Sequence, residues 1–182
     1  MGRKLVLTGF MATGKSAVGA RVARRLGWRL VDSDREIELR AGKSIVTIFA
    51  EDGEPRFRAL EREVIAELAA DPRPAVIATG GGALVDDDNY AALSRSGVII
   101  CLAARPEVIA ARVARSGEAR PKLLESDQPI EDRIRELLAA RSAAYARAAL
   151  TIDTSDLTRN QVAERVLAAF AQHGGHRCGA SA

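Results

Sequence analysis

Residues 9–16 read Gly-Phe-Met-Ala-Thr-Gly-Lys-Ser, which is G-x-x-x-x-G-K-[ST], the pattern of a phosphate-binding loop. Backbone N–H groups must close around phosphate oxygens, which the glycines allow. A lysine ammonium then meets the β and γ oxygens, and a serine hydroxyl meets Mg2+. Lys15 and Ser16 are therefore the candidates for triphosphate and metal contact, with Ala12, Thr13, Gly14 and Ala17 supplying loop and helix amides. Two carboxylates, Asp32 and Asp34, flank Ser33 after the apolar pair Leu30-Val31. One can help to hold Mg2+, which keeps several waters and uses one or two carboxylates. The other can accept a hydroxyl proton from an acceptor molecule. A helix N-cap at Ser33 or Asp34 is the alternative use of this stretch, and capping does not preclude chemistry.

Thr79 is followed by Gly80, Gly81 and Gly82. Without Cβ atoms, three glycines let backbone come close to an anionic or hydroxylated ligand. This run carries no terminal acid of the kind many phosphate-loop ATPases place after their second signature strand, which moves the metal duty toward Asp32. Arg58 lies beside an apolar stripe of Phe57, Leu60, Val64 and Leu68, one turn from Glu61. It suits either a surface pair with Glu61 or an anion contact. Arg141 falls on the stripe Ile134, Leu138, Arg141, Tyr145, and a buried guanidinium requires an acid partner or a ligand. Arg112, Arg115 and Arg120 surround the Ser116-Gly117-Glu118 break, which reads as a lid over phosphates or as a plain surface loop.

Those residues need a scaffold that gathers loops from separate strands. Short apolar runs at Leu5–Leu7, Leu30-Val31, Ala75–Ala78, Val98–Leu102 and Leu150–Ile152 alternate with stretches of helical period. Alternation of this kind predicts an α/β fold with a five-stranded parallel sheet, helices on both faces and ligands at the carboxyl ends of the strands. Pro106 fits the first turn of one helix, and Thr158 with Gln161 forms a capping box before another. The chain has 182 residues, 47% of them hydrophobic, which suits one domain over 1–172, with a lid near 116–128 and a disordered tail over 173–182. Histidines and a cysteine in that tail invite a metal reading, but its glycines favour fraying.

Lys and Arg total 27 against 24 Asp and Glu, a net charge of +3 that phosphate ligands explain as well as nucleic acid. Aromatic residues make up only 4%, too few for base-stacking surfaces. Two cysteines, Cys101 and Cys178, give no disulfide framework and fit a reducing compartment. Only three apolar residues follow Arg3-Lys4 before Thr8-Gly9, far short of a signal core or a membrane span. The expectation is a soluble, cytosolic, monomeric enzyme with no nucleic-acid or membrane partner. A nucleotide-dependent switch is disfavoured, since the base-reading Asn/Thr-Lys-x-Asp motif is missing from the sequence.

Taken in order and spacing, Gly9–Ser16, Asp32-Ser33-Asp34, Gly53-Glu54 through Phe57-Arg58, Gly80–Gly82, Arg120-Pro121 and Arg141 through Tyr145 resemble the shikimate kinase family. The likeness covers residues 4–170. It implies a fold like that of the nucleoside monophosphate kinases, ATP and Mg2+ as donor and metal, and shikimate as acceptor. The product would be 3-phosphoshikimate, on the route to chorismate and the aromatic amino acids. By position, the resemblance gives Lys15 to the β and γ phosphates, Ser16 to Mg2+ and Asp32 to the metal's water shell. Asp34 would grip the shikimate hydroxyls and act as base. Arg58 and Arg141 would bind the carboxylate, Gly80–Gly82 would line the pocket, Phe49 and Phe57 would wall it, and Arg120 would meet the transferring phosphoryl group. A kinase for another small hydroxy acid such as gluconate is the alternative. Two departures stand out: Ala12 occupies a position where the family usually has glycine, and Lys122 is inserted in a slightly lengthened Arg120–Arg141 segment, which lets Arg115 share the nucleotide contact.

Overall fold

A computed structural model of the chain describes residues 4–116 and 128–174. The apolar runs become β1 (Lys4–Thr8), β2 (Arg29–Asp32), β3 (Ala75–Ala78), β4 (Gly97–Ala103) and β5 (Leu150–Asp153). They form one parallel sheet in the order β2-β3-β1-β4-β5. The order places β1 and β3 side by side in the middle, so the loops after them open onto one another.

Period 2 along β1 sends alternate residues to opposite faces. Leu5 and Leu7 join Val76, Ile100 and Leu102 in a core against α1 (Lys15–Leu26) and α8 (Arg159–Gly174). Val6 joins Ile77 and Ile99 on the other face, under α4 (Gly53–Ala70), α5 (Asp87–Ser96) and α7 (Ile130–Ala146). Near-continuous burial of the β1, β3 and β4 side chains is what a sheet covered on both faces requires. A third cluster ties Phe10, just after β1, to Ile109 of α6 (Pro106–Ser116) and Ile134 of α7. A fourth packs α2 (Ser33–Ala41), α3 (Ile45–Glu51) and α4 together through Ile37, Ile48, Phe57 and Leu60.

Capping differs from expectation at one end. The N-cap of α2 is Asp32, whose side chain accepts from the Asp34 N–H, and neither Ser33 nor Asp34 fills that position. The reason is that β2 runs one residue further than its apolar pair, so helical dihedrals begin at Ser33. Thr158 and Gln161 do make the reciprocal bonds of a capping box before α8. That last helix runs to Gly174, past the domain end expected at 172. The expected lid, Arg120 and Cys178 lie outside the described residues. Among the described residues no helix is long and apolar enough to cross a membrane.

Candidate active site

The phosphate loop joins β1 to α1. Gly14 is the N-cap of α1 at φ 99, a conformation in which a Cβ would be strained. Ahead of it Ala12 adopts φ 60, the positive-φ non-glycine residue among those described. Its methyl group carries a cost of about 1–2 kcal/mol at that dihedral. Opposing that cost, Arg112 of α6 donates to the Ala12 carbonyl at 3.3 Å and to Thr154 at 3.0 Å (hydroxyl) and 2.7 Å (carbonyl). Thr13 Oγ1 donates to the Phe10 carbonyl at 2.8 Å, closing the turn from within. Lys15 Nζ reaches back to the Gly9 and Phe10 carbonyls at 2.8 and 2.9 Å. The N-terminus of α1 adds its free N–H groups and dipole to this cradle.

Beside the cradle lies a cavity of about 630 Å3 lined by Ala12, Thr13, Gly14, Ala17, Arg112, Arg115, Thr154 and Arg159 among others. On the other flank Ser16 Oγ donates to Asp32 Oδ2 at 2.6 Å. A hydroxyl and a carboxylate are hard oxygen donors, the type Mg2+ selects while keeping most of its waters. Among the described residues no group of three or more His, Cys, Asp or Glu could hold a metal ion. The pair therefore fits an ion shared with phosphate oxygens and water rather than a dedicated protein cage.

Asp34 stands one residue inside α2. Its Oδ1 is buried and meets no donor among the described residues. Burial first, then the Asp32 carboxylate, push it up to about 6, while Lys15 pulls the other way. A carboxylate poised near neutrality, next to a phosphate cradle, is suited to take a proton from a hydroxyl.

The loop after β3 gathers the rest. Its start is pinned by the Gly80 N–H, which donates to Ser33 Oγ at 3.0 Å, a buried link that sequence reading missed. A Cβ on Gly80 would sit 2.6 Å from Asp34 Oδ1, one on Gly81 3.3 Å from Arg141 Nη1, and one on Gly82 3.1 Å from Arg58 Nη2. Gly80 also faces Glu61 Oε1, at 3.2 Å from the same Cβ position, so the three glycines meet charged side chains from α2, α4 and α7. The Gly9 carbonyl, which Lys15 holds, lies 3.4 Å from the Cβ position of Gly81, so cradle and glycine loop touch.

Arg141 is only 9% exposed. Its guanidinium donates to the Gly81 carbonyl at 3.3 Å and lies 5.4 Å from the centre of the Phe10 ring, with no ion pair to a carboxylate among the described residues. Arg58 makes the Glu61 pair that its spacing allowed, with a second acid beside it. It bonds Glu61, itself 1% exposed, at 2.6 Å and Glu54 at 2.9 Å, and rests over Phe57 at 5.2 Å. Both acids lie on α4, one turn away on either side, so helical geometry makes these pairs almost unavoidable. Three of the five guanidinium N–H groups are engaged by these acids. Phe49 and Phe57 stack at 4.8 Å between centroids, forming an apolar wall next to it.

Sheet order, cradle and gathered charges define the class as a P-loop kinase. Comparison with known proteins narrows the class. A family model described as shikimate kinase matches residues 11–171. The shikimate kinase of Thermoanaerobacter pseudethanolicus is 43% identical over 168 residues, covering 92% of this chain and 96% of the relative. The solved shikimate kinase from Acinetobacter baumannii in complex with shikimate superposes with a TM-score of 0.86 at 32% identity, over 98% of this chain and 96% of that one. A gluconokinase from Sinorhizobium meliloti, at TM-score 0.65 and 18% identity over 98% of each chain, shares the fold alone. The chain belongs to the shikimate kinase family.

Proposed function

We propose that the chain transfers the γ-phosphoryl group of ATP to the 3-hydroxyl of shikimate, releasing ADP and 3-phosphoshikimate. The observation that carries the reading is the glycine run, against which Asp34, Arg141 and Arg58 are each packed within van der Waals reach. A ligand bearing one carboxylate and a ring of hydroxyls matches two guanidinium groups and one carboxylate presented together. Charge-assisted bonds of this kind contribute roughly 1.5–3 kcal/mol each.

Phosphoryl transfer asks the protein mainly to position reactants and to spread charge. The amides of Ala12 through Ala17 hold the phosphates, and the base and ribose take the adjoining cavity, walled by Arg112 and Arg115. Lys15 exchanges its loop carbonyls for the β and γ oxygens when nucleotide enters. Ser16 and Asp32 would hold Mg2+, directly or through water, and the ion would supply positive charge against the charge developing on the phosphates. Asp34 orients the acceptor hydroxyl and removes its proton. Arg120, outside the described residues, is assigned to the transferring phosphoryl group on the family pattern. One chain supplies every residue in this scheme, so a monomer suffices, and no step calls for a nucleic-acid or membrane partner.

Steady-state kinetics on Arg58→Ala and Arg141→Ala test the assignment. Each is expected to raise the KM for shikimate by about 10- to 100-fold while the KM for ATP stays within about threefold. An unchanged shikimate KM in both variants would remove the two arginines from acceptor recognition.

A further inference from the structure

Tyr145 follows Arg141 by one turn of α7, so both side chains reach the same patch of the pocket wall. Its hydroxyl donates to the Gly81 carbonyl at 2.6 Å, the same oxygen that receives Arg141 Nη1 at 3.3 Å. Hydroxyl and guanidinium therefore converge on one carbonyl oxygen from neighbouring positions of the helix. A phenol has one proton, and here the Gly81 carbonyl receives it. The Phe10 ring covers a further side of the guanidinium, and the tyrosine ring itself packs with Phe10 and Ile134.

We infer that Tyr145 is a positioning residue for acceptor recognition. By fixing the Gly81 carbonyl, it sets the oxygen on which the Arg141 guanidinium rests in the orientation that receives the carboxylate of the acceptor. This inference rests on the acceptor reading given above and deepens it. Among the described residues the Tyr145 hydroxyl makes no hydrogen bond to the phosphate loop or to Asp34, so its polar influence runs through the Gly81 carbonyl and the Arg141 guanidinium that shares it. Burial pushes its hydroxyl up to about 12, with Arg141 pulling the other way, and the donor proton stays in place throughout the neutral range. A guanidinium fixed before binding loses less freedom when the carboxylate arrives.

Tyr145→Phe removes one oxygen and keeps the ring that packs on Phe10. The expected result is a rise of about 5- to 20-fold in the KM for shikimate, with kcat and the KM for ATP each within about twofold. In an Arg141→Ala background the same change is expected to move the shikimate KM by less than about twofold, because the group it orients is gone. A merely structural tyrosine would show an equal effect in both backgrounds. An independent reading keeps the wild-type pocket: the chain holds two tyrosines, Tyr90 and Tyr145. Labelling with 3-fluorotyrosine gives two 19F resonances, assigned through Tyr90→Phe. Shikimate is expected to shift the Tyr145 resonance, and the analogue with its carboxylate reduced to an alcohol, at saturation, is expected to leave it in place. An unchanged KM in Tyr145→Phe, an effect undiminished without Arg141, or equal shifts with both ligands would overturn the inference. Wild-type protein that consumes no ATP with shikimate would overturn the acceptor reading and this inference with it; normal wild-type kinetics alongside a normal Tyr145→Phe variant overturns this inference alone.

Discussion

Asp34 concentrates the conflict between stability and function in one carboxylate. Because its folded pKa, about 6, lies above the ordinary 3.8, the folded state binds a proton over that interval that the unfolded state does not. The ionised form therefore costs stability above about pH 6, and the cost is relieved as pH falls from 6 toward 4. Asp34→Asn is expected to raise unfolding free energy by about 1–3 kcal/mol at pH 8 and to give no gain near pH 4, checked by denaturant titration at both values. The same substitution should lower turnover by orders of magnitude while leaving nucleotide affinity intact. For the wild type, kcat/KM for shikimate should fall on the acid side with an apparent pKa near 6, as the base becomes protonated. Ala12 is the second residue with a definite signature. Its φ of 60 shows that the position does take the left-handed region, so Ala12→Gly relieves strain there but adds unfolded-chain entropy. The two effects nearly offset, and turnover is expected to stay within about threefold of wild type in a steady-state assay. A large gain would mean that the methyl group distorts the cradle itself. Both residues stood out in the sequence, one as an acid after a strand and the other as a break in a glycine pattern. The bonds that fix their surroundings, Gly80 N–H to Ser33 Oγ and Arg112 to the Ala12 carbonyl, did not, because they span 47 and 100 residues along the chain and leave no periodic trace.

In the proposed scheme, acceptor geometry depends on the glycine loop. Gly80→Ala would place a methyl group 2.6 Å from Asp34 Oδ1 and force the carboxylate to turn. Displacement of the proposed base by a fraction of an ångström to an ångström is expected to lower kcat/KM for shikimate by about 10- to 100-fold, with ADP affinity by calorimetry unchanged. Arg112 does the corresponding service for the phosphate loop from α6. Arg112→Met removes the bond to Ala12 and both bonds to Thr154, and should raise the KM for ATP by about tenfold with a smaller change in shikimate KM. At this scale the sequence was most informative. Every strand followed an apolar run, and in β1, β3 and β4 burial on both faces leaves few other residue choices. What could not be read was the state of Arg58: its partners Glu54 and Glu61 were visible at helical spacing, yet burial of Glu61 depends on how α4 meets the glycine loop.

The molecule as a whole brings three loops to one rim because β1 and β3 are neighbours at the middle of the sheet and β2 borders β3. That order puts the phosphate loop, the Asp32–Asp34 turn and Gly80–Gly82 side by side. Helices α4 and α7, packed on the face that Val6 and Ile77 share, then deliver Arg58 and Arg141 to the same place. The alternation of strands and helices foretold the parallel sheet, but the order of strands and the meeting of α4 with α7 rest on packing between distant segments. The central claim is that Arg58, Arg141 and Asp34, gathered at the glycine loop beside the cradle, select shikimate. Purified protein, Mg2+ and ATP in a coupled ADP-release assay, with shikimate or gluconate as acceptor, measure it directly. ADP release should rise more than about a hundredfold with shikimate over the acceptor-free rate and barely at all with gluconate. Equal stimulation by gluconate, or ADP release indifferent to shikimate, would contradict the account.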